Sequence, residues 1–244
     1  MLTCMMGLDD KYFSEFQAAY FTYRLYRPEL LQNKFLFVCD GHQHGKEFWS
    51  DEIRSVVGLD LDFDVLCWRM PNVKQRFKML NGLSFAPSMA VDTDWFLKLD
   101  CDSYCSESDL PLWEDDWFRH DTPFVASPWS YTKPASYIDK LEDWSQSVDM
   151  LRHRPAVKYK KFTRRGVDCA KHRRCISFVY YGNTEWHRWA NAMCSYSDGY
   201  LPVPSQDTFY SWLAEKCGHK WKAAKMKRRG WNHSHKGVLN VVLG

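Results

Sequence analysis

Trp95-Phe-Leu-Lys-Leu-Asp-Cys-Asp-Ser103 is the stretch on which the fold turns. A run of strand length, apolar except for Lys98, ends in two carboxylates one residue apart. Its composition predicts a buried strand from Asp94 to Leu99. Similar runs lie upstream: Met1 to Met6, Lys34 to Cys39 (closed by Asp40-Gly41) and Phe63 to Trp68. Helical patterns separate them. Asp9 or Asp10 can cap a helix with Tyr12, Phe13, Phe16, Ala19, Tyr20 and Tyr23 on one face, and Pro28 follows its end. Residues 46–57 suit a short helix. Residues 73–91 read as helical in their first half, with Pro87 a kink or break. Strands buried on both faces and separated by helices imply a mostly parallel sheet in an α/β fold. Such sheets bind ligands beyond the carboxyl ends of their strands, where the strand order reverses. Asp100 and Asp102 stand at such an end. The chain's other D-x-D spacings, at 60–62, 62–64 and 92–94, precede or begin strands.

Two carboxylates so placed can hold a hard divalent cation, which in turn neutralises a diphosphate. A turn in which Asp102 caps the next element is the structural alternative. Downstream, Pro123 to Ala126 and Cys175 to Tyr181 read as strands. Residues 136–151, Thr184 to Ala192 and about Gln206 to Lys216 read as helices, the last with Ser205 as a candidate cap.

The chain has 244 residues, 16% of them aromatic, which excludes disorder as the main state and suffices for one sizeable domain. No run of 18 apolar residues and no signal peptide is visible, so no transmembrane segment is expected. Nine cysteines without a CxxC pair suggest reduced thiols and a cytoplasmic protein. The net charge of +3 hides two basic blocks. Residues 152–174 carry ten Lys/Arg and one acid, residues 216–236 carry eight and no acid, and the rest of the chain is net acidic. Such segregation suggests a polyanionic partner: DNA, a phosphorylated glycan or, peripherally, an anionic membrane surface.

The strand ending in Asp100-Cys-Asp102, after some ninety residues of βαβαβ pattern, resembles the D-x-D strand of GT-A fold glycosyltransferases. The resemblance covers most of the chain in element order. It implies a single GT-A-like (Rossmann-like) domain over 1–244, with a nucleotide-sugar-binding half (1–102) and an acceptor half (103–244) that carries the basic insert and the C-terminal tail. It implies Mn2+ or Mg2+ as cofactor, with Asp102 as main ligand and Asp100 on metal or ribose. Thr3, or a neighbour on the first strand, would lie near the nucleotide base, and Arg76 would supply a basic contact. In Ser205-Gln206-Asp207, which resembles the family's acidic motif, Asp207 would be the general base. Gln206 stands where Glu is commoner and also resembles a motif of retaining members. His233-Ser-His235-Lys236-Gly237 would supply a third metal ligand, His233 or alternatively His235, and Lys236 for the diphosphate. Trp129, Tyr181 and Trp186 are candidates for a sugar-stacking wall. The implied activity is transfer of a hexose from a nucleotide sugar, UDP-linked by the family's habit, to the hydroxyl of a glycan or another acceptor. Two alternatives stand beside it: a glycosyltransferase that modifies hydroxylated DNA bases, and a non-catalytic nucleic-acid-binding α/β protein with basic arms. A nucleotidyltransferase would show a Gly-rich basic loop after the first strand, where this chain has Gly7-Leu-Asp-Asp-Lys11.

Overall fold

The computed structural model describes residues 2–69, 75–128, 140, 141, 143, 144, 175–194, 200–203 and 206–234. The basic block 152–174, most of the 136–151 helix, Trp129, Ser205, His235 and Lys236 lie outside the described residues.

Seven strands form one sheet: β1 (Thr3–Leu8), β2 (Lys34–Asp40), β3 (Phe63–Trp68), β4 (Trp95–Leu99), β6 (Phe124–Pro128), β7 (Cys175–Asn183) and β8 (Lys222–Ala223). Their spatial order is β3-β2-β1-β4-β7-β6-β8, and only β7 runs against its neighbours. Two short strands, β5 (Ser103–Cys105) and β9 (Trp231–His233), pair antiparallel in a second sheet. The fold is thus the expected α/β one with a mostly parallel sheet.

Side-chain alternation along the strands builds two cores. Phe35, Phe37 and Cys39 of β2, with Trp95, Leu97 and Leu99 of β4, face one layer. It contains helices α1 (Phe13–Tyr26) and α2 (Lys46–Val57). Leu36, Val38 and Phe96 face the other layer, made of α3 (Gln75–Ala90), α4 (Thr184–Met193) and α5 (Gln206–Lys216). In α2 the buried residues Trp49, Ile53 and Val57 recur every fourth position, as a one-faced helix requires.

Three local expectations change. Asp9 accepts from the Tyr12 amide at 3.0 Å, so it caps the turn before α1, and the helix itself starts at Phe13. Pro87 does not end α3, which continues to Ala90. Arg188 of α4 bonds the carbonyls of Pro87 and Val91 and so satisfies the end of that helix. The C-terminal tail is woven into the fold as far as Ser234, because β8 extends the main sheet and β9 pairs with β5. Three of its eight bases are engaged by side-chain contacts: Lys222 bonds Asp116 at 2.6 Å, and Lys216 lies over the Trp212 ring. Arg229 bonds the Pro111 carbonyl and Glu114 and covers Trp117.

Candidate metal and donor site

The strand order reverses between β1 and β4, so the crevice of interest lies at the carboxyl ends of these two neighbours. Asp9 follows β1, Asp40 ends β2, Arg69 follows β3, and Asp100 and Asp102 follow β4. The turn after β4 is held by hydrogen bonds. The Asp100 amide donates to Phe178 O, and the Ser103 amide donates to Asp100 O, both at 2.9 Å. The Ser103 hydroxyl also reaches Phe178 O at 2.9 Å. The chain then enters β5, whose Ser103 is the register partner of His233 in β9. That pairing carries a histidine from 131 residues downstream to the acidic turn.

His233 Nε2 lies 3.2 Å from Asp102 Oδ2, with both side chains about one-fifth exposed. Asp100, Asp102 and His233 each offer a ligand atom within 4.8 Å of the others. Two carboxylates and an imidazole suit Mn2+ or Mg2+, though histidine favours the former. Asp102 hydrogen-bonds the His233 ring and holds its pKa above the ordinary histidine value. Burial raises the Asp100 carboxyl, an effect that Lys98 opposes.

Lys98 was not among the expected site residues. It is 1% exposed and bonded to Asp100, whose side chain remains one-third exposed. Alternation along β4 places residues 98 and 100 on one face, and a lysine inside an apolar run was the available signal. Asp9 and Asp40 were also missed as site residues. Asp40 is 2% exposed and accepts from the His42 amide. Burial, together with the nearby Asp40 charge, raises the Asp9 carboxyl despite the Tyr12 amide.

Asp207 lies in the first turn of α5. The far end of that helix is placed by His219, which accepts from Trp186 Nε1 at 2.9 Å. Trp186 lies in the first turn of α4, and the Thr184 amide of the same turn bonds Asp94 O, just before the amino end of β4. Tyr210 of α5 reaches Ser84, midway along α3, and Leu201 reaches Asn81, nearer the start of α3. An 11-residue helix spans about 16 Å. The amino end of α5, with Gln206 and Asp207, therefore turns toward the carboxyl edge. Gln206 is 2% exposed, and its Oε1 has no hydrogen-bond partner among the described residues.

Other expected residues lie elsewhere. Thr3 is at the amino end of β1, level with Phe96, and its hydroxyl bonds that of Thr93 at 2.8 Å. Four residues of extended strand separate that level from Asp100, about 13 Å. Thr3 therefore stands at the far edge from the metal cluster, and Asp9, which follows β1, is at the carboxyl edge. Tyr181 and Trp186 are fully buried and spend their polar atoms on Leu112 O and His219, so they build core and not a sugar wall. Arg76 lies in the first turn of α3, on the carboxyl side of β3. Its side chain is outside the described residues. A cavity of about 470 Å3 opens at the opposite, amino edge, beside Asn33, Trp95, Trp113 and Phe118. It holds none of the clustered ligand atoms, so chemistry and not volume locates the candidate site.

No family model matches the sequence, and no curated protein matches it. Solved structures match in fold. The galactosyltransferase LgtC, in complex with donor and acceptor sugar analogs, superposes with a TM-score of 0.53 at 14% identity, over 91% of this chain and 73% of that one. The mannosyltransferase Ktr4p from S. cerevisiae gives 0.55 at 11% identity, over 88% and 65%. Its complex with GDP gives 0.55 at 10%, over 96% and 70%. These neighbours are GT-A-type glycosyltransferases, and at such identities the likeness is one of fold.

Proposed function

We propose that this chain, which has a GT-A-type fold, transfers a sugar from a nucleotide-sugar donor to an acceptor hydroxyl. The observation that carries the reading is the β5–β9 pairing, which sets His233 beside Asp102 at the carboxyl end of β4. Asp102 and His233, with Asp100, would hold Mn2+ or Mg2+. A cation bound there supplies positive charge against the donor diphosphate and its departure. His233 would take the cation on Nε2 in place of the proton it shares with Asp102, and Asp100 keeps an exposed edge toward the ribose or the cation. Asp207, at the amino end of α5, takes the proton of the acceptor hydroxyl as its oxygen bonds C1 of the sugar. Arg76 and Lys236 complete the nucleotide and phosphate contacts. The donor half is 1–102 and the acceptor half 103–244. UDP is the expected nucleotide, a hexose the expected sugar, and a glycan or another hydroxyl compound the acceptor.

The tail strands β8 and β9 are paired into the sheets, and Lys222 and Arg229 are spent on this chain's own acids, which reduces what a free basic arm could offer a nucleic acid. No helix among the described residues is long and apolar enough to cross a membrane.

Thermal melting against a panel of nucleotides and nucleotide sugars, with Mn2+ and with EDTA, tests the reading. A ligand at about 100 times its Kd adds about 2.7 kcal/mol, which is a rise of several degrees for a chain of this size. A Mn2+-dependent rise with one nucleotide family is expected and identifies the donor. No rise with any of them, alongside salt-sensitive binding to DNA, replaces the enzyme by a nucleic-acid-binding protein.

A further inference from the structure

Lys98 lies within β4 between its register partners Met5 and Tyr180, both of them buried core residues. A lysine so enclosed persists only when its charge is answered. The answer is Asp100, two residues on and on the same face of the strand. The two carboxylates of the turn are therefore unlike. Asp100 already carries a cation on Oδ1, supplied from inside the sheet, whereas the side-chain partner of Asp102 among the described residues is the partly exposed His233 ring, which can give up its proton to a metal. A second cation arriving at the pair meets the lysine's repulsion and shares a carboxylate whose charge is partly spent.

We propose that Lys98 is a resident counter-ion for Asp100 that competes with a divalent cation for that carboxylate, leaving Asp102 and His233 to supply most of the cation's hold. It is a positioning residue, since it acts through Asp100. The inference rests on the metal-dependent donor site proposed above, but it concerns affinity and not transfer.

The experiment is Mn2+ titration of the full chain without nucleotide, with free Mn2+ read by electron paramagnetic resonance. Lys98→Met should bind Mn2+ about tenfold or more tightly than the unsubstituted chain, because the competing charge is gone. Lys98→Arg, which keeps the charge, should stay near the unsubstituted affinity. Unchanged or weaker binding in Lys98→Met overturns the proposal. Should that variant fail to fold, Asp100→Asn and Asp102→Asn decide the matter with Lys98 in place. Asp100→Asn should lose about tenfold less affinity than Asp102→Asn, and an equal or larger loss at Asp100 overturns the idea. The two readings separate cleanly. If the unsubstituted chain binds no Mn2+ and Lys98→Met does, the counter-ion stands and the metal-dependent function falls. If neither binds, both fall.

Discussion

His187 and His233 are the same residue in opposite settings. His187 is fully buried between the rings of Phe96, Trp186 and Tyr210, whose centroids lie 4.7–4.9 Å away. Its Nδ1 donates to Asn183 O and its Nε2 accepts from Tyr180 OH, both at 2.8 Å, so the neutral ring uses both nitrogens. Burial pushes its pKa down to about 3. His233 sits at the sheet's carboxyl edge, partly exposed, and Asp102 pulls its pKa up. The first histidine fixes α4 against the sheet and has no valence left for chemistry. The second stands among carboxylates at an open edge, where a ligand can still reach it. Residue type does not separate the two; burial and the charge of the partner do.

The comparison breaks if each histidine's region can be damaged without separable consequences. The largest effect is expected at the closed one. His187→Ala removes a packed ring and a hydrogen-bond acceptor of the Tyr180 hydroxyl, at a cost of about 3 kcal/mol in urea unfolding, while the folded fraction keeps its Mn2+-dependent donor binding. Lost donor binding in folded protein would make His187 part of the site. Next comes Asp102→Asn, which should weaken Mn2+-dependent donor binding about 100-fold, or about 2.7 kcal/mol, with little change in melting temperature. Retained binding removes the metal site from the proposal.

Gly230→Ala joins the two effects, at about 2 kcal/mol of stability. Gly230 turns into β9 with φ +82°, and a Cβ there would lie 2.4 Å from Ser106 O. Because β9 carries His233, donor affinity should fall together with the melting temperature. A variant that loses stability but binds donor normally would show that His233 reaches Asp102 without that turn.

Much of the frame was legible because burial on two faces writes itself into composition. β2 and β4 are such runs, the edge strand β3 is apolar apart from its exposed Asp64, and α2 and α5 show their boundaries in sequence. The place of Asp100 and Asp102 follows from the end of β4 alone. β8 and β9 were not legible as strands. Lys222-Ala223 and Trp231-Asn-His233 are two and three residues long, and only their partners β6 and β5, 97 and 126–130 residues away in sequence, make them strands. The insertion of β7 between β4 and β6 is likewise a tertiary choice that no local pattern records. Thr3 was misplaced because membership of β1 does not say which end of the strand faces the ligand. Lys98 was passed over because its charge looks like an interruption of the strand until the partner on the same face is seen.

The smallest effect separates the histidines by pH. For His187 the folded value, about 3, lies below the unfolded one, about 6.5. Between those values the unfolded chain binds the extra proton, so stability rises with pH. This contribution is complete above pH ~6.5 and is lost as pH falls toward the folded value. The shift of His233 has the opposite sign. Its contribution is complete below pH ~6.5 and is lost as pH rises through the raised folded value. In the metal-free chain, of these two histidines it is therefore His187 that adds slope in the interval from about pH 6.5 down to 5.5. There it should steepen the loss of stability by at most about 1.4 kcal/mol per pH unit. Urea unfolding of the unsubstituted chain and of His187→Gln across that interval gives the difference in slope. A shallower slope in the variant is expected, and equal slopes would mean that His187 takes up its proton without leaving the fold.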